Sequence, residues 1–284
     1  MLDLSHKAEL NRLTEVMADL RAAVPEVGPL LVGAMARDVL LQHAHGIRPR
    51  RATEDIDLAI AVADWGAFAT LRQALLDSSC FERAGKAAHK LRHRSGLPLD
   101  LIPFGGVQRP DGTIAWPPNG DEVMAVLGYR TALATALTVL LPQQVRIAVV
   151  ALPMLAVLKV LAWFDRHWQA PRKDAADLIA VLRNYLEAGQ KERLYDEAAH
   201  LLEADDFDLD RASAWLVGHD VLAILNTHRE EAARLLALLV EILNRECDPE
   251  GPLHLIGQVD EIAAEPTRQL LLAFLNGLQG QGGP

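Results

Sequence analysis

Apolar positions along the chain change period once, and the change divides it. Leu10, Leu13, Val16, Met17 and Leu20 recur at spacings of three and four, which predicts a helix over about residues 5–23. In VGPLLVGAMARDVLLQHA a short apolar run meets Gly33, and a helical pattern then resumes to about Ala44: strand, tight turn, helix. The Gly, Pro and charge content of GIRPRRATE predicts a loop, and DIDLAIAV, rich in Ile, Leu and Val, predicts a strand. A helix over about 65–77 comes next. HKLRHRSGLPLDLIPFGG reads as two strands around a Ser-Gly-Leu-Pro turn, RPDGTIAW carries a Pro-Asp-Gly turn signal, and QVRIAVVAL reads as a further strand. From Pro153 onward the period is helical almost throughout, over about 153–168, 172–187, 191–204, 210–217, 219–225, 228–246 and 258–276, with QGQGGP expected to fray. The fold class is therefore α+β: residues 1–152 form a mixed β-sheet flanked by helices, and residues 153–284 are all helical.

Composition sets limits. At 284 residues, 50% hydrophobic and 23% charged, the chain is long enough for a sizeable core and two domains. No apolar run approaches the roughly 18 residues of a membrane span. MLDLSHKAEL lacks the basic start and apolar stretch of a signal peptide, so a cytoplasmic protein with no membrane partner is expected. The two cysteines, Cys80 and Cys247, form no CxxC pair and are expected to be buried small hydrophobes in a reducing compartment. A net charge of -10 argues against a general nucleic-acid binder, but the charge is uneven. Residues 185–284 carry 7 Lys+Arg against 19 Asp+Glu, residues 131–184 carry 6 against 3, and residues 1–130 carry 15 against 16. The acidic helical end is either a surface with a task of its own or a solvated helical face.

The chemistry begins at RATEDIDLAI. Side chains two apart on a strand share a face, with α-carbons roughly 6.5–7 Å apart, so Asp55 and Asp57 point together while Ile56, Leu58 and Ile60 point away. Paired carboxylates repel and are costly to desolvate unless a cation or donors sit between them; on a water-exposed strand edge they are tolerated. Asp100 interrupts the apolar strand of GLPLDLIPFGG in the same manner, between Leu99 and Leu101. Three acids from adjacent strands would make an all-oxygen site suited to Mg2+, where two ions about 4 Å apart polarise a phosphoryl group and lower the pKa of an attacking hydroxyl. Gly33, between a strand and a helix, lets backbone N–H groups approach a phosphate. Most such glycines only make turns; the order of strand, Gly turn, helix, loop and Asp-x-Asp strand carries the argument.

Lys159 is a lone charge between Pro153 and Phe164, in a helix apolar on nearly every side, so it either snorkels from a buried face or faces an anion. Arg166, seven residues on, lies on roughly the same face. Asp174 and Asp177 share a face at i,i+3 beside Arg172 and Lys173, and taken alone read as a surface ion-pair network. Arg48, Arg50 and Arg51, with Lys86, Lys90, Arg92 and Arg94, either neutralise a triphosphate, track an RNA backbone or are solvated loop charge. His89 and His93 are four apart in a segment read as strand, where that spacing does not serve zinc, and Trp163 and Trp168 read as packing residues.

Taken together, VGAMARDVLL, RATEDIDLAI and PLDLIPF resemble the nucleotidyltransferase superfamily, whose pattern is a Gly-Gly or Gly-Ser turn, an Asp-h-Asp strand and a third acid on a later strand. LAVLKVLAWFDRHWQAPRKDAADLIAVL is similar to the helical segment of the AbiEii/AbiGii-type toxins of type IV toxin–antitoxin systems, with a lysine on one helix and an Arg/Lys-Asp-x-x-Asp element on the next. The resemblance covers about residues 30–185. It implies that residues 1–152 are a catalytic nucleotidyltransferase-like domain, that residues 153–185 complete the nucleotide site, and that the remaining helices serve acceptor or partner binding. It also implies that Gly33, Ala34, Arg37, Thr53, Lys159 and Arg166 hold the nucleotide, and that Asp55, Asp57 and Asp100 bind Mg2+. Asp100 would help activate the acceptor hydroxyl, Lys159 would contact the triphosphate, and Asp174 or Asp177 would complete the catalytic set. The family turn carries Gly or Ser second; Ala34 supplies no hydroxyl, so phosphate binding there would rest on backbone N–H groups and cations. The implied activity is Mg2+-dependent transfer of a nucleoside monophosphate from an NTP to a hydroxyl of a tRNA 3′ end or a protein, with a cognate antitoxin as partner. Two further readings use the same features: a nucleotide-binding interaction module with little turnover, and an aminoglycoside nucleotidyltransferase.

Overall fold

The computed structural model describes residues 1–48, 53–168, 171–202, 207–245 and 264–281. The chain forms two units, Met1–Ala44 with Arg50–Ala151, and His45–Pro49 with Leu152–Pro284.

The first unit runs β1 (Leu2–Asp3), α1 (Asn11–Ala23), β2 (Leu30–Val32), α2 (Gly33–Asp38), β3 (Ile56–Val62), α3 (Trp65–Asp77), β4 (Phe81–Arg83), β5 (Lys90–His93), β6 (Pro98–Gly105), β7 (Thr113–Ala115), β8 (Val123–Ala125), α4 (Tyr129–Ala134), β9 (Leu137–Leu140) and β10 (Arg146–Val149). Eight strands form one mixed sheet in the order β1-β9-β10-β2-β3-β6-β5-β4, while β7 and β8 pair separately. At its centre β3 runs antiparallel to β2 and parallel to β6, and β5 returns antiparallel to β6. Ile56, Leu58, Leu99 and Leu101 are fully buried, so the apolar side of the alternation in both central strands faces the core. In α1 the buried residues Leu13, Val16, Met17 and Leu20 follow the helical spacing of the sequence. A wider, π-helical turn over Val39–Ala44 continues α2, as the pattern through Ala44 predicts. α3 starts where Asp64 accepts a hydrogen bond from the Ala67 N–H at 2.7 Å, an N-cap that satisfies one otherwise orphaned donor.

The second unit contains α5 (Leu152–Arg166), α6 (Pro171–Asn184), α7 (Arg193–Asp196), α8 (Ala199–Leu202), α9 (Leu209–Thr227), α10 (Arg229–Leu243) and α11 (Ala264–Leu278). No helix among the described residues is long and apolar enough to cross a membrane.

Several expectations change. The first helix begins later than residue 5, because Leu2 and Asp3 pair with β9 at the sheet edge and a 3-10 turn over Ala8–Leu10 precedes α1. Strand β3 starts at Ile56, leaving Asp55 one residue outside it. The single helix expected over 191–204 is two short ones, α7 and α8, with residues 203–204 outside the described set. The break expected between 217 and 219 is absent: α9 is continuous through Gly218, which is there because α11 crosses it and a Cβ would lie 2.7 Å from the Leu278 backbone nitrogen. The helix expected over 258–276 is described from Ala264 to Leu278. Cys80 is partly exposed rather than buried, since it lies in the turn before β4; Cys247 is outside the described residues.

Candidate functional site

In the first unit the register of three strand pairings builds one row of charged side chains. Val32 pairs with Asp57 across β2 and β3, Asp57 with Asp100 across β3 and β6, and Lys90 with Asp100 across β5 and β6. In-register neighbours on adjacent strands share a face, so Asp57 and Asp100 stand side by side, half-buried, between fully buried neighbours. Lys90 Nζ lies 3.7 Å from Asp100 Oδ2, with side-chain exposures of 50% and 32%.

Gly33 closes the other end of the row. Its φ is +68°, a left-handed conformation that glycine adopts without steric cost. A Cβ there would overlap the Asp57 carboxylate, 2.8 Å from Cγ, so the missing side chain is what lets Asp57 lie over the turn. Ala34 is buried, and Arg37 is buried too, its Nε donating to Asp38 Oδ1 at 2.8 Å; Arg37 is thus held inside the fold rather than presented to solvent. Asp55 and Thr53 are partly buried on the approach to β3. Arg48 is exposed, and Arg50 and Arg51 lie outside the described residues. Beside Asp100, His89 packs against Trp116 with ring centroids 4.7 Å apart and planes tilted by 41°, and burial lowers it from the usual imidazole value against the opposing pull of Asp100 and Glu122.

An Mg2+ site needs hard oxygen donors, and Asp57 and Asp100 are of that kind, adjacent, with open backbone at Gly33. The aspartates are not among the described clusters whose ligand atoms all lie within 4.8 Å of one another; those are Glu15–Asp19–His93 and Glu197–His219–Asp220. Both of those clusters are threaded by arginines. Arg94 Nη2 is 2.8 Å from Asp19 and its Nε 3.3 Å from Glu15, and Arg193 bonds both Asp220 and Glu197 at 2.5 and 2.7 Å. They read as ion-pair networks. His93 spends Nε2 on Asp19 and Nδ1 on Ser95, at 2.9 and 2.8 Å.

In the second unit Lys159, on α5, meets two acids of α6. Its Nζ lies 2.9 Å from Asp174 Oδ1 and 2.6 Å from Asp177 Oδ2. Arg166, two turns along α5, forks onto Asp174 with Nε 2.8 Å from Oδ2 and Nη2 3.1 Å from Oδ1. The i,i+3 spacing of the acids makes this possible, because both reach the same side of α6. Lys159, Asp174 and Asp177 are all buried, so the surface network expected for the two acids is instead an interior cluster, with Arg166 as its partly exposed member at 42%. Burial alone would raise the Asp174 carboxyl, but Lys159 and Arg166 outweigh it and hold the group down at about 2. Burial likewise works against the Lys159 ammonium, and Asp174 with Asp177 raises it above the ordinary lysine value on balance. The anions that Lys159 faces are these carboxylates. Trp163 is buried as expected; Trp168 is exposed.

The structure thus brings Gly33, Asp57 and Asp100 together in the first unit and Lys159, Arg166, Asp174 and Asp177 together in the second. Lys90, one of several charges that the sequence clusters ahead of Asp100, is the member that meets it. The signal was present: counting back from the turn at Ser95 and Gly96 sets Lys90 opposite Asp100.

A family model described as "Nucleotidyl transferase AbiEii toxin, Type IV TA system" matches residues 30–280. Among solved structures, the solution structure of the antibiotic-resistance factor ANT(2'')-Ia is similar at 12% identity and a TM-score of 0.35, covering 68% of this chain and 99% of that one. No curated protein matches the sequence.

Proposed function

Because a match over that length makes the chain a member of the AbiEii nucleotidyl transferase family, we propose that it transfers a nucleoside monophosphate from an NTP to an acceptor hydroxyl with Mg2+. The observation that carries this reading is the in-register pair Asp57 and Asp100, set beside a glycine whose missing Cβ leaves room for Asp57. Asp55, Asp57 and Asp100 are the residues that would hold Mg2+, which when bound supplies charge neutralisation for the triphosphate and acidifies the attacking hydroxyl. Asp100 accepts the hydroxyl proton, the hydroxyl oxygen bonds to the α-phosphorus, and the bond between that phosphorus and the α,β-bridging oxygen breaks to release pyrophosphate. Backbone N–H groups following Gly33 and Ala34 bind phosphate oxygens at the start of α2, and Thr53 supports the nucleotide from the same unit, while Arg37, buried against Asp38, holds α2 rather than the nucleotide. In the helical unit, Lys159 donates to Asp174 and is ion-paired with Asp177. In this reading Lys159 and the partly exposed Arg166 are the cations of that unit.

The acceptor is a tRNA 3′ end or a protein hydroxyl, and a cognate antitoxin is the partner this family implies. Purified protein given Mg2+, α-labelled NTPs, cell RNA and lysate should label one acceptor class, and Asp57→Ala should lower transfer by at least about a hundredfold, the order expected when charge stabilisation at the reacting phosphoryl group is lost. Equal transfer by wild type and Asp57→Ala would overturn the assignment. Magnesium-dependent NTP binding without any product would instead mark a nucleotide-binding module.

A further inference from the structure

Lys90 is the charge in the row that the proposed reaction does not use. Its partner Asp100 already faces Asp57 in register, and like charges directly opposite each other on adjacent strands repel. An ion pair at 3.7 Å between half-exposed side chains contributes little to folding, so stability does not account for a lysine here. What Lys90 does have is position: it is a cation one strand from Asp100, at the edge of the place a divalent ion would enter.

We infer that Lys90 is a positioning residue for the carboxylate row, pairing with Asp100 while no divalent cation is bound and opposing that cation's entry, so that it sets the metal concentration at which the site fills. This rests on the Mg2+ reading above and adds to it a residue that acts through Asp100. A cation between Asp57 and Asp100 must displace the ammonium and then sit within roughly two strand spacings of it, about 5–10 Å. At water-like dielectric that repulsion weakens divalent binding about four- to sixteenfold.

Full-length protein titrated with Mn2+ and no nucleotide, with free Mn2+ read by electron paramagnetic resonance, tests this without reference to turnover. Lys90→Met should tighten Mn2+ binding about four- to sixteenfold, and Lys90→Arg, which keeps the charge, should match wild type. Lys7→Met removes the same charge just after β1, at the far edge of the sheet, and should leave binding unchanged. Thermal unfolding without metal should be the same for Lys90→Met and wild type. Unchanged or weaker binding in Lys90→Met overturns the inference, as does equal tightening in Lys90→Arg or Lys7→Met. Asp57→Asn separates the two readings. If it abolishes Mn2+ binding while Lys90→Met has no effect, the inference alone fails; if Asp57→Asn binds like wild type, the metal reading fails and takes the inference with it.

Discussion

Gly33 meets two independent requirements. Its positive φ places it where a side chain is strained, and the space its Cβ would take is filled by the Asp57 carboxyl group. Aspartate is short, so relief of the overlap must move the carboxylate itself rather than a flexible tip. Gly33→Ala is therefore expected to lower unfolding stability by about 1–3 kcal/mol, the usual cost of a residue held in a sparsely populated backbone region. Nucleotidyl transfer should fall further than this loss of stability explains. Urea denaturation and the labelled-NTP assay on the same preparation check it; a Gly33→Ala protein with wild-type transfer would mean that the position of Asp57 over the turn is immaterial. At this scale the sequence was informative where residue type broke a pattern: Gly between strand and helix, Asp57 and Asp100 inside apolar strands. It was silent where the meaning lay in pairing, because Lys90 resembles any lysine until β5 is set against β6.

Elements were legible in proportion to their length and regularity. α3 was expected over 65–77 and runs Trp65–Asp77, since an apolar face and a capping Asp64 act together. Strands β1, β4, β7, β8 and β9 are not expected from the sequence, because two to four residues are too few to display alternation; β2, β5 and β10 are as short but lie in longer apolar or hairpin stretches. The two helices expected over 210–217 and 219–225 are one, α9, although a mid-helix glycine ordinarily weakens a helix by about 1 kcal/mol. Its reason is tertiary. A Cβ on Gly218 would lie 2.7 Å from the Leu278 backbone nitrogen, and one on Gly277 would lie 2.9 Å from that of His219, so α9 and α11 touch backbone to backbone at reciprocal glycines. Alanine at either position should reverse its normal helix-stabilising effect. We expect Gly218→Ala and Gly277→Ala each to cost about 1–3 kcal/mol, the typical penalty for overpacking, seen as a lower denaturation midpoint with the fluorescence of Trp215, beside the crossing, as reporter. A gain in stability from either substitution would rule out this close approach.

For the molecule as a whole, charge and pH separate surface acids from interior ones. Of the net charge of -10, the excess of acids lies in residues 185–284, where protonation of exposed carboxylates relieves repulsion. Asp174 behaves oppositely. Its folded-state value near 2 lies below the ordinary 3.8, so the native protein prefers the carboxylate. That preference is present in full above about pH 4 and is lost as pH falls towards 2. Lys159 is shifted upward from 10.5, so its contribution is complete below that value and disappears as pH rises through the higher folded-state one. Between these limits the buried cluster contributes fully, and stability should form a plateau with an acid limb set in part by Asp174. Asp174→Asn should lower the plateau by about 3–5 kcal/mol, because it breaks a buried pair and leaves Lys159 with one acid. It should also flatten the limb between pH 4 and 2, since the group whose proton uptake drives it is gone. Urea midpoints from pH 2 to 8 for both proteins decide the matter. A mutant with the same plateau and the same acid slope would show that the interior ion cluster is not what ties α5 to α6.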